Sequence, residues 1–79
     1  MTVTVRYFAL LGEEAGVSSE IVDTSARTMR ELWIELKGRH RFSLGQDLVL
    51  AAQGEEFCGW ETALVPGGEV AFMPPVSGG

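Results

Sequence analysis

Thr28-Met29-Arg30-Glu31-Leu32-Trp33-Ile34-Glu35-Leu36 is the one strong helical signature in a chain of 79 residues, and its place between two sets of strand-like segments decides the fold class. Thr28 stands ahead of Met29 with Glu31 three positions later. This is a capping box, in which side-chain oxygens satisfy the amide donors that a helix start leaves free. Met29, Leu32, Trp33 and Leu36 fall at i, i+3, i+4 and i+7, one apolar stripe suited to lie across a sheet. Met and Trp at that spacing read as core rather than as a ligand site. Gly38 ends or weakens the helix, and Arg39-His40-Arg41 near its carboxyl end complements the negative pole of the macrodipole. That basic cluster is too small to argue for nucleic acid.

On the amino-terminal side, Val3, Val5 and Tyr7 alternate with Thr4, Arg6 and Phe8, the period-2 pattern of a half-buried strand. One face goes to the core; the other carries Arg6 and Phe8, and an outward aromatic beside a charge is either a tolerated surface residue or a contact. Ala9 to Ala15 forms a short helical turn, with Gly16 as a left-handed cap. Ser19 to Thr24 fits a second strand, antiparallel to the first across a loop longer than a tight hairpin.

On the carboxyl-terminal side, Phe42 to Asp47 reads as a loop and Leu48 to Ala52 as an apolar strand. Gln53-Gly54-Glu55-Glu56 then turns into Phe57-Cys58, a hairpin with Gly54 at positive φ. Thr62 to Val65 leads to a turn at Pro66-Gly67-Gly68. Glu69 to Met73 is the last strand, apolar on both faces, which suits a position in mid-sheet. With the helix over Val70 and Phe72, Ala71 and Met73 fall on the open face beside Phe8, a candidate partner surface. The order strand, strand, helix, strand, short strand, strand is an α+β pattern that a β-grasp satisfies, among several options.

The chain is one domain, because a chain this short needs nearly every apolar residue for a single core. No apolar run reaches the ~20 residues of a membrane span, so a soluble protein is expected. No basic, apolar leader precedes the first strand, which favours the cytoplasm. Cys58 is the only cysteine and His40 the only histidine, so neither a disulfide, a cysteine-cluster metal site nor Cys/His catalysis is available. Cys58 reads as an inert small core residue. Glu13 and Glu14 are adjacent on a helical turn and point apart, which suits solvation rather than paired acid catalysis. Gly67-Gly68 is no phosphate loop, since no lysine follows and the next element is a strand. Net charge is −5, and all six Lys and Arg residues lie between Arg6 and Arg41. The acidic later half would repel nucleic-acid phosphate and suits a basic protein partner.

The final residues, Pro74-Pro75-Val76-Ser77-Gly78-Gly79, taken alone allow a frayed terminus or a recognised carboxylate on an arm. With Gly67 to Met73 ahead of them, they resemble the terminal signature of the small subunit of molybdopterin synthase, a family of ubiquitin-like sulfur carriers. Val5 to Leu11 and the Thr28-to-Leu36 helix match that family too. The Pro-Pro-Val-Ser-Gly-Gly ending favours it over the thiamine-type carriers, which share the fold and the Gly-Gly end. Departures fall at Gly68, where aspartate is usual, at Gln53-Gly54, where a valine-asparagine pair is frequent, and at Gly12, where arginine is common.

The resemblance implies a ubiquitin-like β-grasp, with a mixed sheet of about five strands and one main helix on one face. It divides the chain into a domain over residues 1–73 and a sulfur-carrying tail over 74–79. It implies that the Gly79 carboxylate is adenylated by an ATP-using adenylyltransferase and converted to a thiocarboxylate with sulfur from a donor protein. Sulfur would then pass to cyclic pyranopterin monophosphate in the large subunit, within a heterotetramer. Pro74, Pro75, Val76, Ser77 and Gly78 would enter the partner's tunnel, and Phe8, Ala71 and Met73 would meet its surface. The chain itself would be the non-catalytic donor subunit, binding no cofactor, metal, nucleic acid or membrane. The tail is expected to be mobile alone and ordered in a partner. A carrier for thiamine, cysteine or transfer-RNA thiolation, or a ubiquitin-like modifier or interaction module, stays open as an alternative.

Overall fold

The β-rich segments pair around the single long helix in a computed structural model that describes residues 1–75. Strand β1 spans Thr2–Tyr7, helix α1 Leu10–Ala15, β2 Ser19–Asp23, α2 Met29–His40, β3 Leu50–Gln53, β4 Glu56–Cys58 and β5 Glu69–Met73. The sheet order is β2-β1-β5-β3-β4. β1 and β5 run parallel at its centre, with Val5 opposite Val70 and Tyr7 opposite Phe72; the other three pairings are antiparallel. β5 therefore lies in mid-sheet, as its two apolar faces predict. No helix among the described residues is long and apolar enough to cross a membrane.

Alternation decides what the sheet buries. Val3, Val5, Tyr7, Val22, Ala51, Val70 and Phe72 form the helix-side face and are all buried. Met29, Leu32, Trp33 and Leu36 press onto them in one core, each fully buried aliphatic or aromatic side chain contributing about 1.5–3 kcal/mol. Trp33 stacks on Phe42 at 5.3 Å between ring centroids and leans on Phe72 at 5.3 Å, with Trp60 at 6.2 Å closing the cluster. Its Nε1–H is buried with no hydrogen-bond partner among the described residues, so Trp33 is held by packing.

The cap of α2 forms as the sequence predicts, Thr28 Oγ1 accepting from the Glu31 N–H at 3.2 Å. The reciprocal bond falls one residue earlier than in a standard box: Glu31 Oε1 accepts from the Arg27 N–H at 2.8 Å. Gly38 does not end the helix, which continues to His40 and closes on Arg41, left-handed at φ 59. The reason lies beyond the helix. Lys37 Nζ donates to the carbonyl oxygens of Phe42 and Leu44, both at 2.8 Å, and Phe42 is buried against Trp33. These bonds and that burial outweigh the ~1 kcal/mol a helical glycine costs. The loop from Phe42 thus contributes to the core, and Gln46–Leu48 forms a 3-10 turn. Leu48 accordingly stands outside the strand, which begins at Leu50.

Gly16 at φ 79 and Gly54 at φ 65 occupy the left-handed positions expected of them. Gly68 is set by close approach rather than by φ: a Cβ there would lie 2.9 Å from the Val65 carbonyl oxygen, which accepts the Gly68 N–H. The turn as built has no room for the aspartate that the resembled family carries.

Candidate functional site

The chain leaves the sheet from its centre. Met73, the last residue of β5, pairs with Leu50; Pro74 is half-buried and Pro75 exposed. Val76, Ser77, Gly78 and Gly79 lie outside the described residues, and so does the expectation that the tail is mobile alone. Beside the exit, the Phe8 N–H donates to the Phe72 carbonyl oxygen at 3.1 Å, joining the end of β1 to the end of β5.

The open side of the sheet gathers the predicted surface residues. Ala71 and Met73 are half-buried and Phe8 is 42% exposed, and all three line one shallow depression of about 220 Å³. Register adds three residues that strand patterning missed. Leu50 opposes Met73, Ala52 opposes Ala71, and Phe57 opposes Ala52, which puts Leu50, Ala52 and Phe57 on the same face. Phe57 is 70% exposed, the most exposed aromatic of the patch. Nothing local distinguishes its outward side from its inward one, because β4 is only three residues long. Arg6 and Glu69 form the polar border of the patch, paired at 3.3 Å, and the Arg6 guanidinium lies 5.7 Å from the Phe8 ring centroid. That contact braces the aromatic from one side.

A second polar cluster sits on the opposite, helix-bearing side. Glu20 Oε2 accepts from Tyr7 Oη at 2.5 Å and lies 2.6 Å from His40 Nε2, so β1, β2 and the end of α2 meet at one oxygen. Burial raises the Glu20 carboxyl, but the Tyr7 and His40 hydrogen bonds and the nearby His40 and Arg39 charges outweigh it, holding it below the usual carboxylate range. Burial and the Glu20 carboxylate together push the Tyr7 phenol well up. Glu14 bonds the Ser43 N–H at 3.1 Å, and bonding to Ser43 holds its carboxyl low, while Glu13 is exposed. The two glutamates have separate surroundings and form no acid pair. Cys58 opposes Ala51 and packs partly against the core.

A mixed five-stranded sheet gripping one long helix, with the last strand of the chain at its centre, defines a ubiquitin-like β-grasp protein. Residues 5–79 match the model of the ThiS family, and the chain belongs to that family. It is 34% identical to the human molybdopterin synthase sulfur carrier subunit over 98% of this chain and 93% of that protein. Its structure resembles SAMP1 from Haloferax volcanii, with a TM-score of 0.82, 29% identity and complete coverage of both chains. A putative molybdopterin converting factor subunit 1 from Pyrococcus furiosus gives a TM-score of 0.79 and 33% identity, over 96% of this chain and 99% of that one.

Proposed function

We propose that this chain is a sulfur carrier serving as the small subunit of molybdopterin synthase. The observation that carries the reading is the continuity of the apolar open face with the exit of β5 into Pro74-Pro75-Val76-Ser77-Gly78-Gly79. A large subunit that covers Phe8, Ala71 and Met73 receives the arm at the same end of β5. Residues 1–73 then act as the docking body and residues 74–79 as the reacting arm.

The reactive atom is the Gly79 carbonyl carbon. A carboxylate is a poor electrophile, so activation comes first: a carboxylate oxygen attacks the α-phosphorus of ATP on an adenylyltransferase, and pyrophosphate leaves. The outer sulfur of a persulfide on a donor protein then attacks the acyl-adenylate carbonyl, and the C–O bond to AMP breaks with AMP taking the electron pair. A second thiol attacks the donor-side sulfur of the resulting acyl disulfide, so that the S–S bond breaks, a disulfide forms on the donor side and the thiocarboxylate is released. Gly79 has no side chain to obstruct these attacks. Pro74 and Pro75 restrict φ at the base of the arm and reduce the entropy lost when it enters a tunnel. Sulfur transfer to cyclic pyranopterin monophosphate takes place in the large subunit, and this chain supplies the sulfur and no catalytic side chain.

Incubation with a competent activating enzyme, ATP and a sulfur source is expected to raise the intact mass by the oxygen-to-sulfur difference. Deleting Gly79, or adding one residue after it, is expected to abolish the gain with the fold intact. An unchanged wild-type mass, or a gain that survives both changes, refutes the assignment to the Gly79 carboxylate. The likeness to SAMP1, described as a small archaeal modifier protein, favours a second reading as a protein modifier. In that case Gly79 ends in an isopeptide bond to a target lysine, and branched peptides replace the thiocarboxylate.

A further inference from the structure

Lys37 is the only lysine in the chain; the other five of its six Lys and Arg residues are arginines. Its half-buried Nζ donates to two main-chain carbonyls, of Phe42 and of Leu44, each at 2.8 Å. Those bonds close the loop that seats Phe42 on Trp33, so the ammonium is part of the fold. The exposed cations on and around α2, among them Arg27, Arg39 and Arg41, are guanidinium groups.

We propose that Lys37 is withdrawn from acyl transfer, so that an activated copy of this chain donates its terminal acyl group but finds no acceptor lysine on another copy. Copies are then not joined into lysine-linked chains, and the acyl-adenylate is left for sulfur or for an external target. The purpose of this arrangement rests on the carrier reading of Gly79; the low reactivity of Lys37 rests on its geometry alone. An acceptor amine must first lose a proton to solvent or a base. Its lone pair then forms the C–N bond at the acyl-adenylate carbonyl, and the C–O bond to AMP breaks with AMP taking the electron pair. To become that nucleophile, Lys37 has to give up two charge-assisted hydrogen bonds and leave two loop carbonyls without their donor. Arginine offers no substitute, because its guanidinium stays protonated.

The test supplies the acyl group from a reagent, so its outcome does not depend on Gly79. The full chain carrying Arg27→Lys, whose new amine lies at an exposed position, is acetylated with N-hydroxysuccinimidyl acetate, and both lysines are followed by peptide mapping. In the folded protein Lys37 is expected to react at least about tenfold more slowly than the introduced lysine. In guanidinium chloride the two rates are expected to converge. Equal rates in the folded protein, or a difference that persists after unfolding, overturn the proposal. A second arm incubates the wild-type chain with an activating enzyme and ATP without a sulfur source. A branched peptide joining Gly79 to Lys37 overturns the proposal as well, whereas its absence beside a detectable acyl-adenylate supports it.

Discussion

Ala9 sits at φ 51 and ψ −127 where β1 hands over to α1, a region open to glycine and strained for alanine. The first turn of α1 holds it there, with Phe8 O accepting from Leu11 N at 3.1 Å and Ala9 O from Glu13 N at 3.2 Å. Ala9→Gly is expected to stabilise the protein by about 1 kcal/mol in urea denaturation. A loss of stability would show that the methyl group packs better than the strain costs. Glu20 makes a second prediction. Its folded carboxyl titrates below its unfolded value, so its contribution is present above the ordinary 4.5 and fades as the pH falls below that, through the folded value. Glu20→Gln is expected to cost about 1–2 kcal/mol near neutrality and to flatten the acid side of the stability profile. Denaturation midpoints measured across the acid range decide it, and parallel profiles for the two proteins would remove Glu20 as the group responsible. Tyr7 works in the other direction: its folded pKa is raised, so its contribution is full below its ordinary 10.0 and declines as the pH rises beyond that. None of this is visible locally, because Tyr7, Glu20 and His40 lie 13 and 20 residues apart along the chain.

At the scale of elements, α2 and β5 were the most legible parts. A helix stripe and a strand apolar on both faces each depend on spacing within one short segment, and both stand where that spacing predicts. The end of α2 was less legible: Gly38 favours termination locally, and only the tie from Lys37 to the following loop carries the helix on to His40. The open face lies between these cases. Phe8, just past the end of β1, and Ala71 and Met73 in β5 follow from alternation along their own segments, whereas Leu50, Ala52 and Phe57 join them only through register across β3 and β4. Met73→Glu and Phe8→Glu are expected to weaken association with a molybdopterin synthase large subunit by about tenfold or more, with smaller effects on the unfolding midpoint. Titration calorimetry beside a denaturation curve separates the two effects. Unaltered association would take these residues out of the interface.

For the whole molecule the net charge is −5: all six Lys and Arg residues lie between Arg6 and Arg41, and every charged side chain after Arg41 is acidic. Such a field steers encounter more than it sets final affinity. Association with a basic large subunit is therefore expected to slow by about tenfold on going from low to high salt, with a smaller change in dissociation rate. Stopped-flow measurements over a salt series test this, and a flat association rate would argue against a basic partner surface. The amino-acid sequence by itself determined the element order, the helix stripe, the two apolar faces of β5 and the Gly-Gly ending, because periodicity and terminal chemistry are written in neighbouring residues. Only the tertiary structure decided which outward residues share a face, that one glutamate oxygen joins three elements, and that the sole lysine is held by two carbonyls. These depend on strand register and on loops folding back, where residues far apart in the chain meet through packing free energy rather than local preference.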